Sequence, residues 1–124
     1  MDAPEHFDWV RERDKCSLNG AFLTLREVVA NNVKTINELH PELEIAIENM
    51  GAAKFVVRKK YADVAAIFDT DFDKHAVDVR PGPNVMFSAK PEICPDGECR
   101  MRVGDQLLRF WEVSKMALER LWFT

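Results

Sequence analysis

The sequence predicts an α+β fold: a long N-terminal helix packed on an antiparallel meander of five or six strands, closed by an apolar C-terminal helix. Three observations predict it. Apolar residues recur every three or four positions from Leu18 to Leu39, which is the spacing of one helix face. From Lys54 onward they alternate in short runs between turn residues, as in antiparallel strands. The stretch from Glu112 to Phe123 is apolar over most of a helical circumference.

Length, composition and charge place the chain among ordinary globular proteins. We expect one domain over residues 1–124, with 47% apolar and 31% charged residues. The net charge of −4 argues against a general nucleic-acid binder. No apolar run reaches the roughly 20 residues that span a bilayer, and the N-terminus is acidic without the apolar segment of a secretory signal. We therefore expect a cytoplasmic protein, with a mature form that has lost its signal as the alternative.

The N-terminal part predicts two helices. Asp2-Ala3-Pro4-Glu5 is expected to begin a short helix, with Phe7 and Val10 as its apolar contacts. Ser17 is a favourable N-cap for the long helix. Pro41 disfavours the helical conformation in the residue before it, so this helix should end near Leu39. Its apolar face contains Leu18, Phe22, Leu25, Val29, Val33, Ile36 and Leu39.

Residues 41–50 fit two descriptions. Leu43, Ile47 and Met50 have helical spacing, whereas Leu43, Ile45 and Ile47 alternate as in a strand. The glutamates and the closing Gly51 favour a short helix. We therefore predict a helix here.

The strands are predicted from alternating runs and the turns between them. The runs are KFVVRK from Lys54, DVAAIFD, HAVDVR, NVMFSA and the two halves of a last hairpin around Gly104-Asp105. Turn signals lie at Pro81-Gly82-Pro83-Asn84 and Pro95-Asp96-Gly97. In the last hairpin the turn places Val103 opposite Gln106, Met101 opposite Leu108 and Cys99 opposite Phe110, all facing the core.

The outer side of this hairpin carries our predicted site. The register places Arg100 opposite Arg109, with Arg102 close by and Trp111 on the same side. Like charges that face each other across strands are unfavourable. Internal carboxylates such as Glu98 or Asp78 are the simpler compensation. The sharper hypothesis is an anion of a ligand or partner, held by Arg100, Arg102 and Arg109 beside Trp111.

Other polar clusters receive ordinary interpretations. The segment Asp69–His75 has aspartates at alternate positions, like the start of a calcium-binding loop. Such a loop needs Gly at position six and Glu at position twelve, but position twelve is Arg80 in this sequence. We expect an acidic connection between strands. The basic run Arg58-Lys59-Lys60-Tyr61 is expected to be a solvated hairpin tip.

Metal and disulfide sites are also considered from the sequence. Cys94 and Cys99 flank a turn, but a structural zinc site needs four ligands, and Cys16 is distant in sequence. A disulfide between Cys94 and Cys99 stays open, and the simplest interpretation makes Cys99 a small core residue. His6, His40 and His75 have no metal-ligand spacing, and His40 is expected at a helix end. We predict no metal and no cofactor.

The function follows from absent motifs and surplus apolar surface. No local nucleotide, zinc-protease or serine-hydrolase motif occurs, so whether the chain is an enzyme stays open. The wide apolar arc of the C-terminal helix either lies between sheet and long helix or continues into a dimer interface. We expect a small, non-enzymatic interaction protein, homodimeric through this helix, with a protein or small anion as partner. The alternative is an enzyme or small-ligand carrier with an anion-accepting pocket between sheet and helix.

Overall fold

The computed structural model describes residues 8–60, 65–82 and 85–123. Within these ranges, three α-helices and seven strands follow one another. The strands form one antiparallel sheet in which each strand pairs with the next along the chain. In chain order the elements are α1 (Trp9–Lys15), α2 (Leu18–Leu39), a 3-10 turn (Pro41–Leu43), β1 (Ile45–Asn49), β2 (Lys54–Lys59), β3 (Ala65–Asp71), β4 (Ala76–Gly82), β5 (Val85–Ile93), β6 (Cys99–Val103), β7 (Gln106–Leu108) and α3 (Phe110–Phe123). The predicted α+β class is therefore confirmed, with one or two strands more than expected.

Helix α2 begins and ends at the predicted residues. The Ser17 hydroxyl accepts a hydrogen bond from the backbone N–H of Gly20 at 3.0 Å, which satisfies a free donor of the first turn. The helix ends at Leu39, two residues before Pro41. Its predicted apolar face is buried from Leu18 to Ile36, but Leu39 is 67% exposed. The last residue of the predicted apolar face, Leu39, is therefore not part of the core.

The predicted short helix at residues 41–50 is also wrong. Glu44 adopts the left-handed conformation with φ 47°, which ends the 3-10 turn and redirects the chain. Ile45–Asn49 then pairs with β2 as an edge strand. Asn37 of α2 accepts from the Ile45 N–H at 3.0 Å and donates to the Ile45 carbonyl at 2.8 Å. The Asn37 side chain therefore takes the place that a neighbouring strand would have in bonding Ile45. Strand β1 is the strand that the sequence did not predict.

The last hairpin has the predicted turn and most of the predicted register. Gly104 has φ 59°, the positive angle that the turn requires. Val103 pairs with Gln106 and Met101 with Leu108. The predicted pair of Cys99 with Phe110 is wrong because β7 ends at Leu108 and Phe110 already begins α3.

The core lies between the sheet and two helices that pack on the same face. Helix α2 contacts β1, β4 and β5, and α3 contacts β3, β4, β6 and α2. Phe55 and Phe68 stack at 4.3 Å between ring centroids, and Phe22 of α2 meets Phe55 edge-on at 5.5 Å. Much of the apolar arc of α3 is therefore consumed in the core, including Val113, Ala117, Leu118 and Leu121.

Two predictions fall partly outside the described residues. Helix α1 is observed from Trp9, with Asp8 as its N-cap; the predicted start at Pro4 and the contact of Phe7 lie outside the described residues. Val10 is exposed, so its predicted apolar contact is wrong. Pro83 and Asn84 of a predicted turn also lie outside the described residues. None of the helices in the described ranges is long and apolar enough to cross a membrane.

Candidate functional site

The outer side of the last hairpin contains the predicted arginines, and Arg102 forms its best-defined ion pair. Its Nε and Nη2 donate to the two carboxylate oxygens of Glu92 at 2.8 and 3.0 Å. This fork lowers the pKa of Glu92 and raises that of Arg102. Glu92 comes from β5, whose register places it beside β6.

Arg100 and Arg109 converge on Glu98. Their Nε atoms lie 3.2 and 3.3 Å from the same Glu98 oxygen, and Arg100 also donates to Asp96 at 2.9 Å. The hydrogen bond to Glu98 is the main reason why the pKa of Arg100 is raised. The predicted strand pair of Arg100 with Arg109 is wrong, because Arg100 pairs with Glu92 and Arg109 lies beyond the end of β7.

Internal carboxylates therefore compensate the charges of all three arginines. The simpler sequence interpretation named Glu98, and Glu98 bridges Arg100 and Arg109. Binding of an external anion by Arg100, Arg102 and Arg109 stays a prediction. An incoming anion would have to compete with carboxylates that are already in place.

Trp111 lines a groove between α2 and α3. The groove has a volume of about 450 Å³ and is lined by Asn32, Thr35, Ile36, Leu39, Trp111, Lys115, Leu118 and Glu119. Trp111 and Leu39 are 55% and 67% exposed although both are large apolar side chains. The ion pairs of Arg100, Arg102 and Arg109 lie on the last hairpin, whereas Trp111 lines this groove.

A polar pair holds the two helices together beside this groove. The Ser114 hydroxyl of α3 donates to the side-chain oxygen of Asn32 in α2 at 2.6 Å. Ser114 is fully buried, and a buried hydroxyl without a partner would be costly. The bond therefore favours one relative placement of α2 and α3, and with it the shape of the groove.

Two opposite charges follow Trp111 along the exposed part of α3. Lys115 and Glu119 are one helical turn apart, with Nζ and Oε2 at 3.9 Å. Their side chains are 65% and 50% exposed, so the pair is solvated and contributes little to stability. Both charges remain accessible to a partner.

The acidic segment Asp69–His75 is only partly a connection: Asp69, Thr70 and Asp71 belong to β3, and residues 72–75 join β3 to β4. Asp71 accepts hydrogen bonds from the backbone N–H groups of Asp73 and Lys74 at 3.0 and 3.1 Å, and so closes the turn. Lys74 also donates to Asp78 at 2.9 Å. Across the described residues, no group of three or more His, Cys, Asp or Glu side chains could hold a metal ion.

The basic tip and His40 have nearby acidic partners. Arg58 lies 3.6 Å from Glu48, and Lys60 lies 3.3 Å from Glu44. Tyr61 of the same run lies outside the described residues. His40 is the C-cap residue of α2, at the helix end where it was predicted.

The cysteines differ most from expectation. Cys99 forms a disulfide with Cys16, and Cys94 is a buried free thiol. The option of a disulfide between Cys94 and Cys99 is therefore wrong. Cys16 and Cys99 are 83 residues apart, and no local spacing pointed to this pair.

The groove also was not predicted as a site. Asn32 and Ser114 are 82 residues apart, and only the packing of α2 on α3 brings them together. A polar Ser114 within the apolar arc of α3 was the available signal.

Comparisons with known proteins add no assignment: no family model, no curated protein and no solved structure matched this chain.

Proposed function

We propose that this protein is a non-enzymatic interaction protein that pairs with a second copy of itself through the groove between α2 and α3. The observation that carries the proposal is the exposure of Trp111 and Leu39 on the walls of an apolar groove. Large exposed apolar side chains grouped in a concavity are typical of binding surfaces. Trp is also one of the residue types enriched among the residues that contribute most binding energy in protein interfaces.

Charge complementarity favours a second copy as the occupant. A two-fold axis level with residue 117 would align two α3 helices in opposite directions, so that Lys115 of each meets Glu119 of the other. Both side chains are exposed beside the groove, and their pair within one chain is weak. The same surface can therefore be complementary to itself, as an isologous interface requires.

The partner class agrees with the overall charge. A net charge of −4 disfavours nucleic acid and is compatible with a protein partner. The expected cytoplasmic location is retained as part of the proposal. Disulfides are rare in a reducing cytoplasm. A cytoplasmic location is therefore compatible with the bond between Cys16 and Cys99 only if this bond is reduced for part of the protein's life.

Sedimentation equilibrium of two alanine variants tests the groove. Trp111→Ala removes the exposed aromatic wall, and we expect the dimer dissociation constant to rise about 30-fold, which corresponds to about 2 kcal/mol. Met116→Ala is the matched control, because Met116 is an exposed apolar residue of the same helix that does not line the groove. Wild-type protein that remains monomeric at high concentration, or equal effects of both variants, would contradict the proposal.

A small-molecule carrier is the second candidate, since the groove volume of about 450 Å³ falls in the range of small-ligand sites. Its walls are mainly apolar, and Asn32 and Lys115 could orient a polar group. The site differs from the alternative expected from the sequence, because it lies between two helices rather than between sheet and helix. Binding of an apolar fluorescent dye by a monomer, lost in Trp111→Ala, would favour this candidate.

A further inference from the structure

Helix α1 depends on contacts with the rest of the chain. It has seven residues, none of them buried. Isolated helices shorter than about 12 residues are marginal in water. Its two largest apolar side chains, Trp9 and Val10, are exposed and do not attach it to the core. Its position therefore has to be set by specific links.

Among the residues that the structure describes, two specific links join α1 and Cys16 to the sheet, and both reach the first residue of β6. Cys16, which directly follows α1, forms the disulfide with Cys99. Glu12 accepts a hydrogen bond from the backbone N–H of Cys99 at 2.8 Å. Because both links act on Cys99, opening the disulfide leaves only the second link, the hydrogen bond from the Cys99 N–H to Glu12.

The corner between α1 and α2 is held by hydrogen bonds at Ser17, so a change in the position of α1 would not extend beyond this residue. Ser17 donates its hydroxyl to the Asp14 carbonyl at 2.7 Å and caps α2 through the N–H of Gly20. A Cβ at position 20 would overlap the Asp14 carbonyl oxygen, so glycine permits this close approach. From Leu18 onward the chain contributes buried residues and belongs to the core.

We infer that the disulfide between Cys16 and Cys99 is a redox-sensitive latch for α1: its reduction releases residues 8–16, while α2 and the sheet remain folded. The inference is independent of the proposed dimer. The core residues on α2, β2 and β3, such as Phe22, Phe55 and Phe68, do not involve α1. After reduction Cys99 remains a small buried side chain of the core.

A dithiol is the reductant in this step. One of its thiolates attacks Sγ of Cys16, which is partly exposed, whereas Cys99 is 2% exposed. The S–S bond breaks, and the Cys99 thiolate leaves and takes up a proton. The second thiolate of the reductant then displaces Cys16, which is also protonated. The protein gains two electrons and two protons, and the reductant becomes a disulfide.

Hydrogen exchange of the full chain, with and without dithiothreitol, tests the latch. The Cys94→Ser variant serves as the background, because it removes the free thiol and leaves the disulfide pair intact. Reduction should accelerate amide exchange in residues 8–16 at least tenfold. Residues 18–39 and 65–82 should exchange as before.

A second variant separates the latch from a general staple. Cys16→Ser in the same background should show fast exchange in residues 8–16 with or without dithiothreitol. Unchanged exchange of α1 on reduction would overturn the inference. Equal acceleration throughout the chain, or failure of both the reduced protein and Cys16→Ser to fold, would overturn it as well, because the disulfide would then hold the whole fold.

Discussion

Two carboxylates, Glu92 and Glu98, organise the arginines of the last hairpin. Glu92 holds Arg102 through a fork of two hydrogen bonds, and Glu98 bridges Arg100 and Arg109. The sequence predicted that an anion must compensate these charges and named Glu98 as one source. It could not predict the fork with Glu92, because this depends on the register between β5 and β6. That carboxylates compensate the arginines was predictable from charge alone. Which carboxylate binds each arginine depends on the pairing of the strands.

The carboxyl of Glu12 leads to a prediction at the scale of single residues. Burial raises the pKa of its carboxyl, but hydrogen bonds from the Cys99 N–H and from Lys15 outweigh this and lower the pKa below 4.5. A carboxyl with a lowered pKa stabilises the fold above its unfolded value, and that stabilisation is lost as the pH falls through the folded value. We therefore expect Glu12→Gln to cost about 1 kcal/mol at pH 7 and progressively less below pH 4.5.

Urea unfolding of wild type and Glu12→Gln between pH 3 and pH 7 measures this difference. Glu38→Gln is a suitable control, because Glu38 is exposed on α2. A stability difference that stays constant with pH would show that the charge on Glu12 does not contribute.

At the scale of elements, β1 shows where local patterns were insufficient. Residues 41–50, which contain it, alternate in part as a strand, but they include three glutamates and are followed by Gly51. The deciding interactions come from elsewhere, because β2 pairs with it on one side and Asn37 bonds both backbone groups of Ile45. By contrast, α2 was predictable because its cap, its apolar face and the proline after it are all local in sequence.

The role of Asn37 can be measured directly. Asn37→Ala leaves the N–H and carbonyl of Ile45 without these partners, and we expect a loss of about 2 kcal/mol in the free energy of unfolding. Asn31→Ala is the control, because it is an exposed position of the same helix. Faster amide exchange in residues 45–49 should accompany the loss. Equal stability of the two variants would contradict the assigned role.

At the scale of the whole molecule, the sequence predicted the architecture but not the candidate site. Helix and strand periodicities repeat over many residues, so the layers of the fold could be derived from them. The groove forms only where α2 meets α3, and the pair of Asn32 and Ser114 joins residues 82 positions apart. The disulfide likewise joins distant residues. Contacts of this kind carry no local signature.

The sequence predicted surplus apolar surface on the C-terminal helix, from Glu112 to Phe123, and placed Trp111 on the outer side of the hairpin before it. The open question was whether the arc of α3 lies between sheet and long helix or continues into a dimer interface. Val113, Ala117 and Leu121 are used in the core, and Trp111 is 55% exposed. Helix α3 therefore contributes buried residues to the core, and a dimer interface through it stays a prediction. Trp111 remains the residue on which the interface proposal rests.

A mixing experiment with two charge variants tests the proposed pairing most directly. Lys115→Glu gives a chain with two negative charges at positions 115 and 119, and Glu119→Lys gives a chain with two positive charges. In the proposed two-fold arrangement each variant repels its own copy, whereas a mixed pair has two attractive contacts. Light scattering after size exclusion should find each variant monomeric alone and an equimolar mixture dimeric. A mixture that behaves as the sum of its components would contradict the pairing.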